Sequence, residues 1–251
     1  MTLNQSLRNK TILIIKIFFL EIYSFLTTLI ENILFKKRKI ENDLNANGYK
    51  MFTLKSNASY EQLIFQQVQS NKYLKKYILS ERSISKLVDD LFVKNNLLSL
   101  ISNETGFAYS IDFITAYETF HIDSSDIKKG WYANQWHRDK PFSKNTLKLV
   151  FPLHKITHQH GGIQIKNKLD DDKIFNMTAN LNEFLIFLPN QCFHKAGNPK
   201  INFSRKQIMM QLNPSSTWKI NSNLYKRQER IEPKFPMITY LLDKKLKLIK
   251  I

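Results

Sequence analysis

The chain of 251 residues has one cysteine, six glycines and few acidic residues. Because Cys192 stands alone, no disulfide can form within the chain, which excludes a small disulfide-stabilised secreted domain. A reducing compartment is indicated, and we expect a cytoplasmic location. No linker rich in glycine, serine or proline and no internal repeat is present, so a repeat array is also excluded. With 43% hydrophobic residues, the chain can bury one sizeable core.

The shortage of acidic residues leaves a formal net charge of +17, and most of this charge lies at the two ends. Residues 1–40 carry 7 basic and 2 acidic side chains, and residues 219–251 carry 9 basic and 3 acidic ones. This excess favours an anionic partner, such as a phosphate, an acidic glycan or an anionic membrane. No nucleic-acid-binding motif accompanies the basic residues, so we do not expect a nucleic-acid partner.

Residues 12–35 form a long apolar stretch that charged residues interrupt. At about 100° per residue, Lys16, Glu21 and Glu31 fall with other polar residues in an arc of about 160°, which predicts an amphipathic helix. The stretch has no small-residue cleavage site, and Lys36 to Lys39 lie on the wrong side for a signal peptide. Three interpretations stay open: a helix lying in a membrane interface, a helix packed on the domain's own core, and a single membrane span.

From residue 41 onward the sequence pattern is first helical and then β. Asn47-Gly48 predicts a turn before a short strand, and the apolar spacing over residues 60–102 predicts two or three helices. After Gly106, segments rich in aromatic and β-branched residues alternate with turns. They predict at least five strands of a sandwich or open barrel: "FAYSIDFITAYETF", "TLKLVFPL", "GGIQI", "EFLIFLP" and "RKQIMMQL".

The stretch "QWHRD" holds a candidate pair of metal ligands, His137 and Asp139. In extended backbone, residues i and i+2 project to the same face, so an imidazole and a carboxylate can reach one ion. Arg138, between them, should point to the opposite face. The spacing alone is not distinctive, because His121 and Asp123 share it, although no strand follows that second pair.

Three further histidines offer a different metal site. His154, His158 and His160 have spacings that suit zinc on a helix or a strand, but they share no single periodicity. A solvated loop is the interpretation that we favour. Trp136 is expected to pack beside the first pair, and Cys192 is expected to pack among apolar side chains.

The best candidate for a third ligand is His194, which follows the apolar segment "EFLIFLP". A turn-rich segment separates it from Arg205. If the chain forms a hairpin centred near Pro199, His194 and Arg205 lie opposite each other on one face. The guanidinium could then bind a carboxylate of a metal-bound ligand.

Two histidines and one carboxylate form the facial triad of non-haem Fe(II) oxygenases. The arrangement resembles the Fe(II)/2-oxoglutarate-dependent oxygenases, and within them the phytanoyl-CoA dioxygenase family, over roughly residues 41–215. "QWHRD" followed by "NTLKLVFPLHKITHQHGG" is similar to that family's ligand pair, strand and glycine turn. The resemblance implies that His137, Asp139 and His194 are the catalytic Fe(II) ligands. It also implies that Arg205 binds the distal carboxylate of 2-oxoglutarate and that O₂ is the second co-substrate.

The resemblance further implies an α+β fold with a mainly β core: a double-stranded β-helix (jelly roll, cupin-like) with flanking helices. We expect an N-terminal amphipathic helix in residues 1–40, the oxygenase domain in residues 41–218 and a basic extension in residues 219–251. One departure concerns Ala196, since many family members have a hydroxyl residue two positions after the distal histidine. The retained Asp139 favours hydroxylation, because related halogenases lack this carboxylate.

The expected substrate is a small, lipid-linked or nucleotide-linked anionic compound, such as an envelope or glycan precursor or an acyl chain. The basic, amphipathic N-terminus favours a cytoplasmic protein that is peripheral to the inner face of the membrane. The alternative is a catalytically inactive oxygenase fold that binds an anionic membrane surface or ligand.

Overall fold

The computed structural model describes residues 3–35, 40–55, 65–70, 72–127, 132–139, 143–170, 172–221 and 246–248. Its helices are α1 (Leu3–Leu34), α2 (Asp43–Asn47), α3 (Glu81–Val88), α4 (Leu97–Thr105) and α5 (Ser124–Ile127). Its strands are β1 (Tyr49–Thr53), β2 (Phe65–Ser70), β3 (Leu74–Leu79), β4 (Ala108–Phe120), β5 (Leu147–Pro152), β6 (Ile163–Lys166), β7 (Ile174–Asn176), β8 (Glu183–Phe187), β9 (His194–Ala196), β10 (Ser204–Ser215), β11 (Lys219–Asn221) and β12 (Leu246–Leu248). The basic segment 36–39 and most of the C-terminal extension lie outside the described residues.

Two sheets form the body of the protein. The larger sheet has the order β1-β8-β5-β10-β4-β11-β12, with β3 paired to β4 and β2 paired to β3. The smaller sheet has the order β7-β6-β9. Consecutive strands thus alternate between the sheets as the chain passes from β5 to β6, from β7 to β8 and from β9 to β10. This is the double-stranded β-helix, and the expected fold class is confirmed.

Alternation along the strands divides the apolar side chains between two cores. On β5, Leu147, Leu149 and Phe151 belong to the larger core, which includes residues of α2, α3 and α4. Val150 belongs instead to the smaller core, in which residues of both sheets meet. Because the side-chain period of a strand is two residues, one strand can serve both cores. Full burial of each such side chain contributes about 1.5–3 kcal/mol.

The predicted helical region is correct only in its second half. Residues 81–105 form α3, a π-helical continuation (Asp89–Lys94) and α4, but β2 and β3 form an antiparallel hairpin. Leu74, Tyr77 and Ile78 have the i, i+3, i+4 spacing of a helix, which made this part of the prediction wrong. β3 pairs with β4, with Lys76 opposite Tyr117, and this long-range pairing overrides the local pattern.

The predicted turn at Asn47-Gly48 is confirmed. Gly48 has a φ of +84°, the left-handed region that favours glycine, and it ends α2 immediately before β1. A Cβ atom at this position would lie 2.0 Å from the Cys192 sulfur. The turn therefore brings the start of β1 close to the segment that precedes His194.

The chain continues in the larger sheet beyond residue 218. β11 pairs in parallel with β4 and antiparallel with β12. Trp218 and Ile220 are buried in the larger core. The division into an N-terminal helix, an oxygenase domain and a basic extension stays a prediction.

α1 is a single helix of 32 residues, somewhat longer than the predicted segment 12–35. Within the residues that the structure describes, no helix combines the length and the apolar character needed to cross a membrane.

Candidate metal centre

His137 and His194 are joined through their backbones. The His137 N–H donates to the His194 carbonyl (N···O 3.1 Å), and the His194 N–H donates to the His137 carbonyl (2.9 Å). This antiparallel bridge couples the segment before Asp139 to β9. It places the two imidazole rings with their centroids 4.4 Å apart.

The same nitrogen of each ring faces a backbone carbonyl. Nδ1 of His137 lies 2.8 Å from the Gln135 oxygen, and Nδ1 of His194 lies 3.2 Å from the Cys192 oxygen. A proton on Nδ1 satisfies these contacts and leaves the lone pair on Nε2, which is a common arrangement of metal-binding histidines. The Nε2 atoms lie 3.8 Å (His137) and 3.6 Å (His194) from Oδ1 of Asp139.

One potential ligand atom from each of His137, Asp139 and His194 lies within 4.8 Å of the other two. In the described part of the chain, these three residues are the one group of histidine, cysteine or acidic side chains with such a geometry. Asp139 and His194 are buried, and His137 is half-buried. Burial lowers the pKa of His137 below its usual value of 6.5, so the ring is neutral at pH 7, the form that binds a metal.

Asp139 also has a charged neighbour, Lys148, which was not predicted from the sequence. Nζ of Lys148, on β5, lies 2.6 Å from Asp139 Oδ2, and both side chains are less than a tenth exposed. The Asp139 N–H donates to the Pro189 carbonyl (3.0 Å), which fixes its backbone to the loop before β9. Asp139 is thus held through both its side chain and its backbone, and its Oδ1 faces the imidazoles.

Arg205 lies on β10 and is 1% exposed. Its Nη1 donates to the Gly197 carbonyl (3.1 Å), whereas its Nε is buried and has no hydrogen-bond partner among the described residues. Burial lowers the pKa of Arg205, but a guanidinium remains charged at neutral pH. An incompletely paired buried cation is costly, and an anionic ligand would supply the further acceptor.

A cavity of about 490 Å³ adjoins Arg205. Ala196, on the same β9 face as His194, contributes to its wall, and so do the side chains of Thr115, Thr119 and Lys76. The volume falls in the range of about 300–1,000 Å³ that is typical of ligand pockets. The cavity thus extends from the Arg205 side chain to Ala196, which lies two residues after His194 on β9.

The predicted hairpin between His194 and Arg205 is wrong. β9 pairs with β6 in the smaller sheet, whereas β10 pairs with β4 and β5 in the larger sheet. The turn-rich segment after Ala196 carries the chain from one sheet to the other. The residue opposite Arg205 is Thr119 of β4, which is buried.

Polar side chains line the interior side of β10 beyond Arg205. Gln207 donates to the Tyr117 hydroxyl, and Asn213 donates to Asp112 (2.8 Å). Burial raises the pKa of Tyr117, so its hydroxyl stays protonated at neutral pH. Two sequence signals could have identified these groups. Polar residues at every second position of part of "RKQIMMQLN" mark the polar side of β10, and Lys148 is the single charged residue in the buried segment "LKLVFP".

The second His-x-Asp pair has a structural role. Nδ1 of His121 lies 2.7 Å from the Pro199 carbonyl oxygen, and Asp123 Oδ2 lies 2.6 Å from Nζ of Lys72. The first contact fixes the end of β4 to the chain between β9 and β10, and the second fixes it to Lys72, which precedes β3. Neither residue belongs to the potential metal-ligand group.

The three histidines considered for zinc do not form such a group either. His158 is exposed and His160 half-buried on a short turn, where the Thr157 side chain lies 2.8 Å from Nδ1 of His160. Nε2 of His154 accepts a hydrogen bond from the Lys206 N–H (3.0 Å). These residues therefore organise the loop between β5 and β6.

The other residues near the centre lie as expected. Arg138 is exposed, with its guanidinium 4.4 Å from the centre of the Phe193 ring, so it points away from the triad. Trp136 packs beneath the ammonium groups of Lys166 and Lys195. Cys192 is buried in the smaller core, which confirms its expected packing role.

The sequence matches no protein-family model and no curated protein. Among solved structures, the chain is similar to the non-haem α-ketoglutarate-dependent epimerase SnoN from nogalamycin biosynthesis. The identity is 9%, the TM-score is 0.48, and the similarity covers 74% of this chain and 83% of SnoN. It is also similar to HygX from Streptomyces hygroscopicus with nickel and 2-oxoglutarate bound (9% identity, TM-score 0.47, 70% and 86% covered). A third similar structure is EctD from S. alaskensis (11%, 0.44, 71% and 80%). The fold assignment rests on the strand order described above.

Proposed function

We propose that the chain is an Fe(II)- and 2-oxoglutarate-dependent dioxygenase that hydroxylates a C–H bond of its substrate. The observation that supports this most directly is the convergence of His137, Asp139 and His194, with potential ligand atoms within 4.8 Å of one another. Two imidazoles and one carboxylate suit Fe(II) and leave coordination positions for a co-substrate and O₂. Bound iron would supply O₂ activation coupled to oxidative decarboxylation of 2-oxoglutarate to succinate and CO₂.

The incomplete pairing of Arg205 fits the distal carboxylate of 2-oxoglutarate. The guanidinium is buried, borders the cavity and has an Nε without a partner among the described residues. A carboxylate can accept two parallel hydrogen bonds from a guanidinium, which neutralises both charges inside the protein. Arg205 would orient the co-substrate so that its other end reaches the three ligands.

Thr119 is the best candidate for the hydroxyl group that Ala196 cannot provide. It lies opposite Arg205 in the β4–β10 pairing, is 3% exposed and borders the same cavity. A threonine hydroxyl can donate to the carboxylate that Arg205 binds. The co-substrate site is then completed from β4 rather than from β9.

The rest of the cavity suits a small or linked anionic substrate. Lys76 supplies a second cation in the wall, whereas Leu74 and Met209 supply apolar surface. This combination fits an acyl chain or a lipid-linked or nucleotide-linked precursor that carries a carboxylate or phosphate. The single cysteine supports a location in the cytoplasm, and the net charge of +17 supports a position at the inner face of the membrane. The catalytic domain would comprise residues 41–218, to which β11 adds a further strand of the larger sheet.

The proposal is tested by succinate formation from 2-oxoglutarate in the presence of Fe(II) and O₂, without added substrate. Slow uncoupled turnover is expected for the native protein and for a His121→Ala variant, because His121 lies outside the triad. A His137→Ala variant should form no succinate above the level of free iron. Failure of the native protein to bind Fe(II) and 2-oxoglutarate together would favour the alternative, an inactive oxygenase fold.

A further inference from the structure

The N-terminal helix α1 packs on the protein with its polar face, and the described residues leave its apolar face uncovered. Ser24, Thr27 and Glu31 are 0%, 4% and 2% exposed, respectively. On the opposite side of the helix, Phe18 is 62% and Ile33 is 65% exposed. This orientation is the reverse of the usual one, in which the apolar stripe of a surface helix faces the core.

Specific hydrogen bonds hold this reversed orientation. The Glu31 carboxylate accepts hydrogen bonds from the Ser143 hydroxyl and from Nδ2 of Asn145. The Thr28 hydroxyl accepts a hydrogen bond from the Lys144 N–H (3.0 Å). All three partners lie in the turn between Asp139 and β5. Rotation of α1 about its axis would separate the Glu31 carboxylate from these donors, which is costly for a buried charge. The turn therefore fixes the orientation of α1.

The uncovered face is continuous and large. Its side chains recur at helical spacing, and each is at least 40% exposed: Ile15, Phe18, Phe19, Ile22, Phe25, Leu26, Leu29 and Ile33. Isolated exposed apolar residues need no explanation, but a continuous apolar face marks an interaction surface. The helix is therefore built to present this face to a partner.

The charge around the helix identifies the kind of partner. Residues 1–40 carry 7 basic and 2 acidic side chains, and one of the two acidic side chains, Glu31, is buried. Four consecutive basic residues, Lys36 to Lys39, directly follow α1 in the sequence. A second copy of the chain would also carry a net charge of +17, and this repulsion opposes self-association. Anionic lipid head groups would neutralise these charges while the acyl chains receive the apolar face.

We propose that α1 lies in the interface of an anionic membrane, with Phe18, Phe25 and Ile33 directed into the acyl region and Glu31 directed toward the β-helix. The helix thus connects the bilayer to the domain without crossing the bilayer. This inference goes beyond the proposed activity and does not depend on it.

The experiment is flotation of the full-length protein with vesicles of equal parts phosphatidylglycerol and phosphatidylcholine, and with vesicles of phosphatidylcholine alone. We expect binding to the anionic vesicles that weakens as salt screens the basic residues. A triple variant, Phe18→Ser, Phe25→Ser and Ile33→Ser, should bind at least about 100-fold more weakly, because three apolar side chains no longer enter the bilayer.

The matched control replaces three exposed apolar residues outside α1: Leu169→Ser, Ile174→Ser and Ile201→Ser, which are 76%, 46% and 68% exposed. This control should bind vesicles within about twofold of the native protein. Circular dichroism and urea unfolding establish that both variants fold.

Equal vesicle binding by the α1 variant and the native protein would overturn the proposal. A native protein that does not float but is a dimer in light scattering, and becomes a monomer in the α1 variant, would instead assign the face to a second copy. The succinate assay in solution is independent of either result.

Discussion

Nζ of Lys148 lies 2.6 Å from one carboxylate oxygen of Asp139, and the other oxygen of that carboxylate faces the two imidazoles. The two oxygens of one side chain therefore have separate roles. Oδ2 is neutralised by a buried ammonium, and Oδ1 is available to a metal ion together with His137 and His194. A buried charge pair of this kind is costly to break by removing one partner.

Replacing Lys148 with Met should destabilise the metal-free protein by about 3 kcal/mol, because the Asp139 carboxylate is left buried without its counter-charge. A bound divalent cation would replace that counter-charge, so the loss in the metal-loaded protein should be about 1 kcal/mol. By linkage, the variant must then bind the metal about 30-fold more tightly than the native protein. Urea unfolding with and without Mn²⁺, a redox-stable substitute for Fe(II), measures both quantities.

Lys50→Met is the control for this prediction. Lys50 pairs with Glu104 at 2.9 Å, away from the triad, so its replacement should have the same effect with and without Mn²⁺. Weaker Mn²⁺ binding by the Lys148→Met protein would show that Lys148 supports the metal rather than replacing its charge.

Arg205→Lys should raise the 2-oxoglutarate concentration for half-maximal succinate formation about 100-fold. A lysine keeps the charge but loses the planar pair of donors. Thr119→Val should raise it about fivefold to tenfold, since one hydrogen bond to a charged group is lost. Thr115→Val, in the wall of the same cavity, is the matched control and should change it less than about twofold. Equal effects of the two valine substitutions would remove Thr119 from the co-substrate site.

Glu31→Ala should lower the free energy of unfolding by about 2–3 kcal/mol, because the Ser143 hydroxyl and the Asn145 amide lose a buried acceptor. Glu21→Ala, on an exposed position of the same helix, should change it by less than about 0.5 kcal/mol. Urea unfolding followed by circular dichroism measures both. Similar effects of the two substitutions would mean that the polar face of α1 does not hold the helix in place.

His154 should make stability depend on pH. Burial is the main cause that lowers the pKa of His154 below 6.5, and the nearby His160 is the second cause. The Nε2 atom of His154 accepts a hydrogen bond from the Lys206 N–H. The His154 ring therefore binds a proton more readily in the unfolded chain than in the folded protein. Its contribution to the free energy of unfolding is complete above about pH 6.5 and declines as the pH falls. Relative to the native protein, His154→Gln should therefore be less destabilised near pH 5 than near pH 7.5. Urea unfolding at both pH values checks this, and an unchanged difference would contradict the pKa shift.

Several strands of the β-helix and the turn before β1 could be predicted from the sequence because they follow local patterns. The aromatic and β-branched residues of "FAYSIDFITAYETF" predict β4, and Asn47-Gly48 predicts the turn before β1. The β2–β3 hairpin could not be predicted in this way, because Leu74, Tyr77 and Ile78 fit a helix until β3 pairs with β4.

The position of Arg205 relative to His194 could not be predicted from local sequence patterns either. Its sequence distance from His194 suggested a hairpin, but the two residues belong to different sheets that face each other. Only the sheet topology decides between these arrangements. The orientation of α1 is a second case, since the sequence predicts an amphipathic helix but not which face packs on the domain.

The most direct test of the account is an anaerobic titration of the metal-free protein with Fe(II) and 2-oxoglutarate, followed by visible absorbance. Chelation of triad-bound Fe(II) by the 2-oxo acid produces a weak metal-to-ligand charge-transfer band. We predict this band for the native protein and for His121→Ala, and its loss in His137→Ala. No band in the native protein, or a band that persists in His137→Ala, would contradict the assignment of His137, Asp139 and His194 as the Fe(II) site.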